Sequence, residues 1–128
     1  MTPVQISRVT ATWRAAGRRR PELQTAIADN LPIGTRHVEA KAEWIMQTVD
    51  RLVPLLTKPT ELCVAANEMV ERRETVTTAD LIASRDALLA GLAYVLGPPS
   101  EPTLVAWNQA CGLFADVIAA LVVNPFCS

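Results

Sequence analysis

TTADLIASRDALLAGLAYVLGPPSEPTLVAWNQACGLFADVIAALVV, Thr77 to Val123, decides the fold class. It reads as two long apolar helices joined by Leu96-Gly97-Pro98-Pro99. Gly97 supplies a helix terminator, and the two prolines prevent continuation. In the upstream helix Leu81, Leu88, Leu92 and Val95 fall on one stripe, which Ile82, Leu89, Ala93 and Leu96 widen. So broad an apolar face predicts a central, largely buried helix. Thr77 and Thr78 start it, and Asp80 stands where a capping box with Thr77 needs an acid. Ser100 caps the downstream helix, whose stripe is Leu104, Trp107, Cys111, Phe114, Ile118 and Leu121. Asn124-Pro125 ends it.

The first half has the same character. Thr2-Pro3-Val4-Gln5 combines an N-cap, a proline at the first helical position and the far residue of a capping box. Ile6, Val9, Trp13 and Ala16 then recur at helical spacing. A short second helix follows Pro21 with Leu23, Ile27 and Leu31, and Pro32 and Gly34 stop it. Thr35 is placed to cap a third helix carrying Val38, Ala42, Ile45, Val49, Leu52 and Leu56. Pro54 should kink or end its last turn, because proline removes a backbone donor and crowds the preceding carbonyl. Thr60 is placed to cap a fourth helix with Leu62, Ala66, Met69 and Val70. No segment alternates like a strand. The expectation is an all-α fold of about six helices, one domain over residues 1–128, with its core between the third, fifth and sixth helices.

Half of the 128 residues are hydrophobic, enough for a real core, yet no apolar run approaches the roughly 20 residues of a membrane span. A net charge of −1 gives no electrostatic case for nucleic acid. Arg14 with Arg18-Arg19-Arg20 reads as a solvated charge cluster. The N-terminus shows no basic-then-apolar leader, so a cytoplasmic location is expected. Three widely spaced cysteines, Cys63, Cys111 and Cys127, form no metal pattern and are expected to be reduced. Cys111 lies on an apolar stripe and reads as a small core residue, and Cys127, near the tail, is the more reactive or crosslinking thiol.

Taken in order, several of these pieces resemble a globin. Val9 four residues before Trp13 is similar to the first-helix pattern of that family. Ile45-Met46 and Val49-Asp50-Arg51-Leu52 resemble the helix over the distal face of haem. Leu62 to Arg73 resembles the proximal helix, with Arg72-Arg73 as a basic pair before the ligand. Leu96-Gly97 and Ala106-Trp107 complete the match. The resemblance implies a shortened globin-like fold, a cleft once shaped for haem, and the last two helices as a pairing surface.

The departures bear on chemistry. The proximal ligand position is Glu74 by the basic-pair register and Glu71 by counting back from the fifth helix, a carboxylate either way. Haem iron is held by histidine, cysteine, methionine or tyrosine. The distal position falls near Lys41. Only Pro32-Ile33-Gly34 separates the second and third helices, so the corner phenylalanine that packs on porphyrin is missing. His37 is the one histidine; as a ligand it would be distal and a turn early, and it reads equally as a helix-end residue. Cys63 and Met69 could ligate in principle, but both read as core. The vestigial cleft is therefore assigned to His37, Lys41, Trp44, Ile45, Met69, Glu71, Glu74 and Leu88. Lys41 either pairs with Glu71 or Glu74 across it or is an ordinary surface charge. Trp44, at the edge of its stripe, packs in the core, lines the cleft or forms an interface.

One histidine and no glycine-rich phosphate loop assemble no catalytic constellation, so no enzyme, metal or cofactor is expected. Three functions remain open. The first is a haem-free globin-like domain acting by binding, as a sensory, regulatory or scaffold module. The second is a tetrapyrrole protein with unusual ligation. The third is a carrier of a small apolar ligand in the vestigial cleft. Val105, Ala119, Val122 and Val123 extend the apolar surface of the last helix beyond its stripe. That surplus fits a homodimer through the last two helices or another protein partner.

Overall fold

A computed structural model describes the backbone of residues 1–71 and 78–123 and the side chains of 1–68 and 79–118. Six α-helices and one 3-10 turn occur among them, and no strand. They are α1 (Pro3–Gly17), α2 (Arg20–Asp29), α3 (Val38–Leu52), the turn Val53–Leu55, α4 (Pro59–Glu71), α5 (Thr78–Leu96) and α6 (Glu101–Val123). No helix among the described residues is long and apolar enough to cross a membrane.

Several boundaries follow from local chemistry. The Gln5 amide donates to Thr2 Oγ1 at 3.2 Å and the Thr2 amide to Gln5 Oε1 at 2.9 Å, so the capping box at the start of α1 closes. Pro54 turns the end of α3 into the 3-10 turn. The Thr103 amide donates to Ser100 Oγ at 3.4 Å, which caps α6. Gly97 adopts φ +84°, the left-handed terminator its position required.

Other starts differ from expectation. Thr35 does not cap α3; its hydroxyl donates back to the Pro32 carbonyl at 2.6 Å and tightens the preceding turn. The N-cap is His37, held at φ 53° with no side-chain cap bond. Histidine is among the few side chains with some tolerance for that left-handed region. Helix α4 begins at Pro59 rather than after Thr60, with the Leu62 amide donating to the Lys58 carbonyl at 2.9 Å. A proline at the first helical position loses no bond there. The expected capping box of Thr77 with Asp80 lies partly outside the described residues.

Packing also departs from the expected core. Helix α2 lies closest to α5, and also against α3. The reason is Gly91: a Cβ built there would sit 2.9 Å from Ile27 Cγ1 and 3.3 Å from the Ile27 amide nitrogen. The bare glycine lets the two backbones approach. Ala87 and Gly91 are buried on this face, while Ile82 and Leu96 on the widened stripe stay exposed. Helix α5 is thus wedged between α2 and α6 with an apolar flank open, not buried all round. Helix α6 packs mainly on α1 and α4, burying Ala106, Trp107, Ala110, Cys111, Phe114 and Ile118. Leu104 remains partly exposed, and Leu121 lies outside the described side chains.

The arginine cluster is not simply solvated. Arg20 donates to both carboxylate oxygens of Asp50 on α3, one at 3.2 Å, and Trp13 Nε1 donates to Asp50 Oδ1 at 2.8 Å. Arg19 pairs with Glu22 and donates to the Val95 carbonyl at 2.6 Å near the end of α5. The cluster therefore stitches the α1–α2 corner to α3 and α5.

Candidate functional site

A small concavity lies where α3, α5 and α6 converge. Trp44, Ile45, Thr48 and Val49 form one wall, Leu81, Ser84, Arg85 and Leu88 the second, and Cys111, Phe114, Ala115 and Ile118 the third. Helical spacing explains the first two walls. Thr48 and Val49 lie four residues beyond Trp44 and Ile45, and Leu88 lies three and four residues beyond Arg85 and Ser84.

Of the sequence-assigned residues, Trp44, Ile45 and Leu88 come together here. Lys41 lies one turn before Trp44, and its ammonium pairs with Asp80 Oδ1 at 3.3 Å, one turn before Ser84 on α5. The pair ties α3 to α5 beside the cleft. The Lys41 side chain is mostly buried, so it is not an ordinary surface charge, and the acid it meets is Asp80. His37 is exposed, a further turn outward, and lines no wall. The side chains of Met69 and Glu71, and all of Glu74, lie outside the described residues.

The cleft is small and apolar. Its volume is about 60 Å³, room for a little water and far below the roughly 300–1,000 Å³ of small-molecule sites. The large side chains of Trp44, Leu88 and Phe114 occupy the space between the helices. Sequence periodicity found the α3 and α5 apolar residues but gave no signal for Ser84 and Arg85, whose polar character reads as solvated surface.

Its chemistry is correspondingly limited. Burial pushes the Cys111 thiol up to about 11, and the nearby Arg85 charge only partly opposes this. At neutral pH Cys111 is a protonated, weakly nucleophilic thiol. Arg85 itself turns to Asp86, with Nε and Nη2 donating to Asp86 Oδ1 at 3.2 and 3.1 Å. Among the described residues, no three His, Cys, Asp or Glu side chains converge as metal ligands would. Cys63 is disulfide-bonded, which corrects the expectation of reduced thiols throughout. Nothing in the local sequence around Cys63 signals that bond.

A second concavity lies outside the sequence-assigned cleft and shares no residue with it. Helices α1, α5 and α6 enclose a groove of about 380 Å³ under the Gly97-Pro98-Pro99 turn. Sequence reading missed it because its α1 wall, Ala11, Thr12 and Ala15, consists of small residues that carry no strong apolar signal.

No protein-family model, curated protein or solved structure matches this chain. Function therefore rests on the sites' own geometry.

Proposed function

We propose that this chain is a haem-free, globin-like module that acts by binding, in a sensory, regulatory or scaffold role. The observation that carries this reading is the size of the α3–α5–α6 cleft. It holds only about 60 Å³ between Trp44, Leu88 and Phe114, with the Lys41–Asp80 pair beside it. A tetrapyrrole, or a carried ligand of ordinary size, would have to force these helices apart and break their packing. The carboxylate at either proximal register, Glu71 or Glu74, adds to the case because it is a poor iron ligand. The protonated Cys111 thiol favours a packing role over nucleophilic chemistry.

The partner in this reading is a second copy or another protein, met at the apolar margins of the last two helices. Ile82 and Leu96 on α5 and Leu104 and Val105 on α6 remain exposed there. Hemin titration tests the haem-free reading. The expected result is broad, non-saturating absorbance. A sharp Soret band at one-to-one stoichiometry would overturn it, and its loss in His37→Ala would identify the ligand. Light scattering at micromolar concentration reads the homodimer, and a strictly monomeric species leaves only a different protein as partner.

A further inference from the structure

Helix α4 is seated by little apolar surface. Among its described side chains the buried ones are Leu62, Ala65 and Ala66, two of them alanines, and Val64 on the same helix is half exposed. Arg51 on α3 pairs with Glu68, but each is more than a third exposed, so solvent screens the pair. Against α6 the contact is a small cluster apart from the main core. Ala66 and Ile118 are its buried members, and Cys63, Leu81 and Val117 pack around them. Leu81 and Ile118 also line the α3–α5–α6 cleft. Helix α4 therefore stands behind one end of that cleft.

The cysteines add a second observation. Cys63, at the α4–α6 contact, is disulfide-bonded, whereas Cys111 in the cleft wall is a free, buried thiol. The chain has three cysteines, so a bond within the chain leaves Cys127 as the other half. Cys127 follows the end of α6 by only four residues, so the bond would tie α4 to the chain leaving the very helix it packs on. The two positions lie half the chain apart, and closing so long a loop removes much freedom from the unfolded chain.

We propose that Cys63 is bonded to Cys127 and that this disulfide is a redox latch: intact, it holds α4 on α6 and keeps the α3–α5–α6 cleft shut, and its reduction lets α4 lift and opens the cleft to Cys111. In the opening step an external dithiol supplies two electrons and two protons. The Sγ–Sγ bond breaks, both cysteines leave as thiols, and the dithiol becomes its own disulfide. Disulfides persist in oxidising compartments and are cut by the thiol pool elsewhere, so the latch senses the redox state of its surroundings. The inference rests on the α4–α6 contact and not on the haem-free reading, and thiol chemistry and hemin titration can fail separately.

Connectivity is tested first. The unreduced chain is alkylated with iodoacetamide and cleaved before its aspartates, which puts the three cysteines on separate peptides, 50–79, 86–115 and 116–128. The expected result is a 50–79 peptide linked to 116–128 from a chain of monomer mass. Alkylation of all three cysteines, a link to 86–115, or a crosslinked dimer would overturn the proposal. The latch is tested by the rate at which Cys111 reacts with a soluble aromatic disulfide reagent. In the oxidised wild type and in the double variant Cys63→Ser/Cys127→Ser, Cys111 is the single thiol, so the two rates compare directly. The double variant should react at least tenfold faster, and equal rates sink the latch. Hydrogen exchange of the wild type with and without dithiothreitol covers the case in which the double variant does not fold. Amides of α4 should exchange faster on reduction while those of α1 and α2 keep their rates. Unchanged α4 exchange, or equal acceleration in all helices, would leave the bond a staple for the whole fold and overturn its role as a latch.

Discussion

Two glycines inside helices have opposite meanings that only their neighbours reveal. Gly91 in α5 faces α2 so closely that an added Cβ would stand 2.9 Å from Ile27 Cγ1, 3.3 Å from the Ile27 amide nitrogen and 3.4 Å from Leu23 Cδ1. Gly112 in α6 has nothing within 4 Å of such a Cβ. Alanine is favoured over glycine within a helix by roughly 1 kcal/mol, a gain available at both positions. At Gly91, overpacking against a neighbouring backbone should outweigh it, for a net loss of about 1–3 kcal/mol. At Gly112 nothing opposes it, so Gly112→Ala should stabilise by about 0.5–1 kcal/mol. Urea denaturation of both variants reads the two signs. A stabilised Gly91→Ala would remove α2 from its place against α5.

At the scale of elements, Asp50 is the junction of three helices. It accepts from the Trp13 indole of α1 and from Arg20 at the start of α2 while standing on α3. The bond to Asp50 also pushes the Arg20 pKa up, against a smaller lowering by burial. Arg20 and Asp50 are each about two-fifths exposed, so solvent screens much of the ion pair. The half-buried indole bond should carry more of the effect. Asp50→Ala should therefore cost about 1–2 kcal/mol, mainly by orphaning Trp13 Nε1. Asp50→Asn retains an acceptor for the indole and should recover part of it. Thermal melts of both variants decide: equal losses would place the weight on the ion pair instead.

What the sequence made legible at this scale is what local chemistry controls. The Thr2–Gln5 box, the Ser100 cap, the Pro54 break and the Gly97 stop each depend on residues within a few positions, and each is found. Illegible were pairings between distant positions. Arg20 reads as solvated because Asp50 is 30 residues away, and Arg19 because the Val95 carbonyl is 76 away. Lys41 has several candidate acids, and only the fold selects Asp80. Trp44, Ile45 and Leu88 were found for the cleft because apolar periodicity marks an inward face. Whether that face encloses space is a matter of side-chain volumes from three helices, which periodicity does not contain. The α1–α5–α6 groove escaped for the converse reason: alanines at its wall make room by being small.

At the scale of the whole molecule, burial of one thiol couples folding to alkaline pH. Cys111 lies in the cleft wall with its pKa raised from the ordinary 9.0 to about 11, chiefly by desolvation and with Arg85 pulling the other way. In the unfolded chain the thiol regains water and ionises first. Between pH 9 and 11 the unfolded state thus holds fewer protons than the native one, so stability falls as pH rises through that window. Below pH 9 both states keep the proton, and the full contribution is present. Two pH units correspond to a loss on the order of 2–3 kcal/mol. Other contributions to the pH dependence are common to the wild type and a Cys111 variant, so the informative quantity is a difference between them. Cys111→Ala costs some packing at every pH but removes this slope. Chemical denaturation at pH 8 and pH 10.5 should show the wild type losing more stability than Cys111→Ala, by about 1–2 kcal/mol. Parallel losses would mean that the thiol reaches water in the native state, and that the α3–α5–α6 cleft is more open than its packing implies.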